Sequence, residues 1–259
     1  MPIDFHDEKN KATYSTRNAA QEWIDFISQQ INADNKVIAD IGCGGGIYSR
    51  AWASMNAKQV IGIDFSEHMV KTATEKSIHY PNLFFQQGDA ENTGLNTASI
   101  DIAFERALIH HLNDYNNNFK EIYRILADNG YFIIQDRTME NITLPGGKNH
   151  LRGYFFECFP KLIEVEAQRR PTQQQVENAL QQNGFELVSS QVFRETRRIY
   201  DTFESLAQDI SARTGRSILH ELNDTEIELL IDKLRLHLSA QTPIVEQDYW
   251  HIWVARKLI

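Results

Sequence analysis

The amino-acid sequence predicts an α/β fold, a doubly wound and mostly parallel sheet with helices on both faces. Short apolar runs that read as strands alternate with amphipathic runs that read as helices from about residue 19 to Asp136. The strand runs are apolar almost throughout, as strands covered on both faces must be. The third observation is the turn after the first strand, "DIGCGGG" at Asp40–Gly46, with four glycines in five residues. Glycine loses the most backbone entropy on folding, so such density needs a reason. A glycine turn entering a helix lets a ligand approach backbone N–H groups at the carboxyl end of the sheet.

The elements follow in order. Ala19, Trp23, Phe26, Ile27 and Ile31 recur on one helical face. "KVIADIG" reads as a strand, "YSRAWASM" as a helix and "QVIGID" as the second strand. The helix "SEHMVKTATEKS" has Ser66 placed as an N-cap. "NLFFQQGD" and "SIDIAFE" are the third and fourth strands. "YNNNFKEIYRILA" is a helix expected to close near Asn129-Gly130, before the fifth strand "YFIIQD". Beyond Asp136 the stretch up to Pro160 reads as irregular, with a hinge candidate at Pro145-Gly146-Gly147. "TQQQVENALQQNGF" is a helix closed by Gly184, and "ELVSSQVF" a strand. Asn223 and Glu226 form a capping-box pattern ahead of a further helix, and "YWHIWVARK" is a final strand.

With 42% hydrophobic residues, the 259-residue chain can bury a sizeable core. Its net charge of −9 disfavours nucleic acid and anionic membrane surfaces as partners. The two cysteines, Cys43 and Cys158, lack metal-ligand spacing, so no disulfide framework and no metal site is expected, and a reducing compartment is. The N-terminal "MPIDFHDEKNKATYS" has no apolar core of a signal peptide. No apolar run approaches the ~18 residues of a membrane span. A cytoplasmic protein is the expectation.

Asp64 ends the second strand, where an acidic group accepts hydrogen bonds from ribose hydroxyls or simply caps a helix. Together with the glycine turn it points to an adenosine-containing cofactor. A dinucleotide fingerprint wants glycine at position 47, and Ile47 stands there. The run "DIGCGGG" instead resembles the motif of class I S-adenosylmethionine-dependent methyltransferases. "GIDFSEHMV", "QQGDAENTGL", "FERALIHHL" and "EIYRILADNGYFIIQD" extend the resemblance from Val37 to Asp136, toward the small-molecule, methyltransferase type 11-like subgroup. It fades in the C-terminal third.

The resemblance implies a Rossmann-like, mostly parallel seven-stranded sheet, its last strand antiparallel at an edge beside the fifth. It implies one methyltransferase domain over residues 1–259; the segments 138–170 and 200–242 are extra to the strand–helix alternation and are expected to be helical cap insertions within it. S-adenosyl-L-methionine would be the cofactor. Gly42 and Gly44 would approach its methionine moiety, with Asp40 behind the ammonium. Asp64 would hold the ribose, Phe65 one adenine face unless it packs in the core, and Asp89 with Ala90 the adenine edge. Glu105 and Arg106 would border the methionine end, though Arg106 also suits a surface ion pair. Tyr14 and Arg17 would reach the cofactor carboxylate, or else start the first helix in solvent.

The expected reaction is in-line methyl transfer to the oxygen, nitrogen or carbon of a small-molecule acceptor. The alternatives are a non-catalytic S-adenosylmethionine binder and, against Ile47, an NAD(P)-dependent oxidoreductase. His110 and His111 follow the fourth strand, where either serves as a base or orders the loop. Arg137, beside Asp136, lines the acceptor pocket or forms a structural ion pair. Arg152, Arg169, Arg170, Arg194, Arg197 and Arg198 suit a carboxylate-bearing acceptor or are solvated charge. The two cap segments, with Tyr154, Phe155, Phe156 and Phe159, either wall the acceptor pocket or form a homodimer interface.

Overall fold

The computed structural model describes residues 19–258. Its first half alternates as α1 (Gln21–Gln30), β1 (Val37–Ile41), α2 (Ile47–Ser54), β2 (Gln59–Asp64), α3 (Glu67–Lys76), β3 (Leu83–Gln87), β4 (Ile100–Arg106), α4 (Tyr115–Ile125) and β5 (Leu126–Asp136). The second half runs α5 (Met139–Ile142), α6 (Leu151–Cys158), α7 (Lys161–Ala167), α8 (Gln173–Gln182), β6 (Phe185–Tyr200), α9 (Phe203–Ser211), α10 (Asp224–Leu238) and β7 (Ile244–Lys257). The local signals act as the residue types dictate. Ser66 Oγ accepts from the Met69 amide to start α3. Asn223 and Glu226 close a reciprocal capping box on α10.

The seven strands lie in the order β3-β2-β1-β4-β5-β7-β6. β1 to β5 are parallel, and β7 is antiparallel to both β5 and β6. One face is closed by α1 and α2, whose Trp23, Ile27 and Trp52 pack on Ile38, Phe104 and Ile133. The other is closed by α4 and α8 through Phe119, Ile122, Val176 and Leu180. Trp23 and Trp52 are fully buried and meet edge to face at 5.4 Å. Among the described residues no helix is long and apolar enough to cross a membrane.

Several expectations need correction. β7 does not lie at the edge: it sits between β5 and β6, and β6 is the edge strand. Its C-terminal charges find partners within the fold, Lys257 donating to the Leu126 carbonyl at 2.7 Å and Arg256 to Glu186 at 2.6 Å. Helix α4 stops at Ile125, where Leu126 turns extended, and Asn129 (φ 61°) is a left-handed kink inside β5. The stretch read as irregular holds α5 and α6, and α7 follows directly after it. Pro145-Gly146-Gly147 is no open hinge. A Cβ on Gly146 would meet the Tyr154 ring at 2.4 Å, and one on Gly153 would meet the Gly146 nitrogen at 2.2 Å. That loop is packed onto α6.

A length mismatch builds the roof over the sheet. β5 ends at Asp136, paired with His251, whereas β7 begins at Ile244 and stays paired with β6 out to Tyr200. Ile244–Trp250 and the matching half of β6 therefore overhang the carboxyl end of the sheet as a two-stranded ribbon. On that ribbon sits a separate apolar core from α6, α7, α9 and α10, with Tyr200 and Ile244 at its base. Segments 138–170 and 200–242 thus share one core.

Candidate functional site

A chamber of about 490 Å³ opens between the carboxyl ends of β1, β2 and β4 and the overhanging cap. Its lower wall is the glycine loop with Asp40, Asp64 and Phe65, and then Asp89 and Ala90 after β3. Its upper wall is Arg106, His110, Arg137, Arg152, Asp248 and Trp250, joined by Arg170, Arg197 and Arg216.

The glycine loop is held from within. The Gly42 and Cys43 amides donate to the Ile63 carbonyl, Gly46 to Cys43, and Gly44 to Asp64 Oδ2 at 2.8 Å. The loop therefore does not present these N–H groups to a ligand, as the sequence suggested, but its bare Cα surface. Gly44 (φ +52°) shows why: a Cβ there would meet nothing within 4 Å and would project into open space. Gly46 (φ +73°) serves the fold instead, since its Cβ would strike Phe85 at 2.7 Å. Asp64 Oδ1 also accepts from the Ser66 amide at 2.9 Å, so its carboxylate is fixed at the tip of β2. Phe65 is 55% exposed at the rim, which rules out core packing. Asp40 lies in the floor, accepting from Ser49 Oγ at 2.5 Å. Burial, with Asp64 adding to it, pushes its carboxyl up to about 7.

Glu105 does not border the chamber. Successive residues of a strand point to opposite faces, so Arg106 faces the cavity while Glu105 is buried on the α4 side, accepting from Asn118 at 2.7 Å. Burial raises it to about 8, so it is mostly protonated near neutrality. Arg106 pairs with Glu195 at 2.7 Å and lies over Tyr48 and Trp250 at 4.3 and 4.1 Å. Tyr14 and Arg17 fall outside the described residues.

After β4 the chain leaves the sheet through Ala107, whose φ of 54° is strained for a residue with a Cβ. The following 3-10 turn, Ile109–His111, lays His110 and His111 over the chamber, rings 4.0 Å apart. His110 Nδ1 lies 2.9 Å from both oxygens of Asp136, and Arg170 braces the same carboxylate at 2.9 Å. Burial opposes the Asp136 anion, but His110 and Arg170 overcome it and hold the carboxyl well below its usual range. Burial and Arg170 drive the His110 pKa down to about 3. The ring is neutral, Nδ1–H donates to Asp136, and Nε2 keeps its lone pair. His111 is shifted down as well, first by burial.

Of the other arginines singled out, Arg152, Arg170 and Arg197 line the chamber, while Arg194 and Arg198 are exposed on β6. Arg169 pairs with Glu166. Tyr154, Phe155 and Phe156 do not wall the chamber; they form the core of the cap. Sequence reasoning missed Tyr48, Arg216, Asp248 and Trp250. The dense aromatic and charged run "DYWHIW" was the one available signal for the last two.

The methyltransferase domain family matches residues 39–134, the stretch that contributes the glycine loop, Asp64, Asp89 and the β4 terminus. Over these residues the chain is similar to the methyltransferase domain. The uncharacterized methyltransferase YcgJ of Bacillus subtilis is 33% identical over 127 residues, which are 47% of this chain and 49% of YcgJ. The chain thus spans about half the length of that relative. The YcgJ crystal structure superposes with a TM-score of 0.62 at 18% identity, over 93% of this chain and 100% of that one. A Haemonchus contortus phosphoethanolamine N-methyltransferase 2, solved with phosphomonomethylethanolamine and S-adenosylhomocysteine, gives 0.58 at 21% identity, over 92% of this chain and 52% of that one. The [4+2]-cyclase SpnF gives 0.61 at 18% identity, over 99% and 86%.

The chamber's own residues fit S-adenosylmethionine. The open space at Gly44 is a cradle that a side chain would fill, and the anchored Asp64 carboxylate stands beside it at the tip of β2. Gly42, Gly44, Asp40 and Asp64 would hold the methionine and ribose parts of S-adenosylmethionine, and Phe65, Asp89 and Ala90 the adenine.

Proposed function

We propose that this chain transfers a methyl group from S-adenosylmethionine to a small-molecule acceptor with an ionisable O–H, N–H or acidic C–H. The carrying observation is that one chamber joins the glycine-loop floor to a neutral His110 backed by Asp136. When bound, S-adenosylmethionine supplies a sulfonium methyl already activated for displacement. What is left to the chain is to align the acceptor, exclude water and receive its proton. The cap and the β6–β7 ribbon close the chamber from above. His110 Nε2 takes the proton, and Asp136 holds the tautomer and stabilises the imidazolium as it forms. The arginines of the upper wall orient the acceptor.

The test is a screen of small-molecule acceptors with methyl-labelled S-adenosylmethionine, read by mass spectrometry. Label in at least one product, lost in His110→Gln, supports the reading. A second reading, cofactor binding without methyl transfer, draws on SpnF, a protein of this fold described as a cyclase. It predicts co-purifying adenosyl ligand and no labelled product from any acceptor.

A further inference from the structure

The upper wall concentrates guanidinium groups beyond what its carboxylates can serve. Glu166 is shared by three of them: Arg169 at 2.8 Å, Arg170, and Arg152 at 3.3 Å. Arg170 also serves Asp136. Arg152 is left with that single long contact, and its buried Nε has no partner among the described residues. Arg137 pairs with Asp248 at 2.8 Å and sets its guanidinium carbon over Trp250, 3.6 Å from the ring centre. Its Nε is likewise buried without a partner among the described residues. The Nε of Arg106, paired through its Nη2 with Glu195, is buried without a partner among the described residues too. Buried donors are nearly always satisfied, so these unmet ones on chamber-lining arginines point to an acceptor group that belongs in the chamber.

Resting on the methyltransferase reading, we infer that Arg137 and Arg152 form an oxyanion clamp, and that the methyl acceptor is a small molecule carrying a carboxylate or phosphate. The planar fork of arginine matches both oxyanions with paired hydrogen bonds. Trp250 holds Arg137 in place from one side while Arg106 covers the ring at 4.1 Å, so the fork is preorganised. The clamp comes from the end of β5 and from α6, that is from the cap side, and not from the glycine loop. Charge crowding agrees with the geometry: burial first, then Arg137 and Arg170, bring Arg152 down to about 9 against the pull of Glu166 and Asp248. An anion in the clamp relieves that crowding.

The experiment is calorimetry of the full chain with benzoate, phenyl phosphate and the neutral isostere benzamide, with and without saturating S-adenosylhomocysteine. At least one anion is expected to bind tenfold or more tighter than benzamide, and the tighter of the two assigns carboxylate or phosphate. Arg152→Gln and Arg137→Gln should each weaken that anion tenfold or more, leaving S-adenosylhomocysteine affinity within threefold, and Arg152→Lys should recover part of the loss. Equal binding of benzamide, or no binding of either anion, overturns the clamp. So does displacement of the anion by S-adenosylhomocysteine, which would assign the arginines to the cofactor's own carboxylate. The wild-type comparison decides without any variant, so a misfolded variant does not rescue the proposal. If wild-type protein fails to bind S-adenosylhomocysteine, the methyltransferase reading fails separately, and the anion titration alone still reads the clamp.

Discussion

His110 Nδ1 lies 2.9 Å from both carboxylate oxygens of Asp136, at the junction of the β4 loop and the end of β5. With Asp136 anionic, the arrangement fixes which nitrogen carries the proton and leaves Nε2 to accept another. General-base assistance of this kind contributes about 10²–10⁴-fold in rate. His110→Gln should therefore lower kcat by roughly 10²-fold or more, leaving S-adenosylhomocysteine affinity nearly unchanged. Asp136→Asn should do the same through the wrong tautomer. Because the His110 pKa is depressed to about 3, wild-type kcat should show no acid limb near pH 6.5. An unchanged kcat in His110→Gln, measured on an identified acceptor, would remove the residue from the chemistry.

Much of this site was legible because it depends on neighbours in sequence. The glycine loop, Asp64 at a strand end and Asp89 after the next strand are local signals, and the parallel sheet places all three at one end. Glu105 and Arg106 were both drawn into the site because the motif names both. Strand alternation admits only one of them, and Asn118 claims the other. Trp250 and Asp248 escaped notice because their place depends on β7 outrunning β5, a relation between two strands far apart in the chain. The edge position expected of β7 follows from the family topology and the strand's mixed polar pattern, but β6 pairs along its outer side, where Glu186 accepts from Arg256, while Lys257 donates to the Leu126 carbonyl of β5.

The glycines divide into two kinds, and substitution separates them. Gly44→Ala puts a methyl into open chamber space, adding only the strain of a positive φ. It should weaken S-adenosylhomocysteine binding tenfold or more with a modest fall in Tm. Gly46→Ala drives a methyl to 2.7 Å from Phe85 at the start of α2. It should destabilise the fold by about 1–3 kcal/mol through overpacking and strain. Paired thermal melts and calorimetry check both. A reversed pattern would mean that the Gly44 space is not the cofactor's.

Cofactor affinity should depend on pH through Asp40. Its carboxyl is raised to about 7, chiefly by burial, with Asp64 pushing the same way and Ser49 and Arg106 opposing. Above pH 7 it is an anion and attracts the cofactor's ammonium. As pH falls through 7 it takes up a proton and the attraction is lost. Affinity should drop by up to about tenfold per pH unit below the midpoint, with protons released on binding. Asp40→Asn should flatten the profile between pH 6 and 8. A wild-type profile already flat over that range would place the ammonium elsewhere.

Calorimetry against S-adenosylhomocysteine and NAD tests whether the chamber floor is built for S-adenosylmethionine. Micromolar-scale binding of S-adenosylhomocysteine and no heat with NAD are expected. Asp64→Ala should weaken binding by about 1–3 kcal/mol, as expected when buried hydroxyls lose a charged acceptor and the Gly44 amide loses its anchor. Measurable NAD binding with no S-adenosylhomocysteine heat would contradict this reading of the floor.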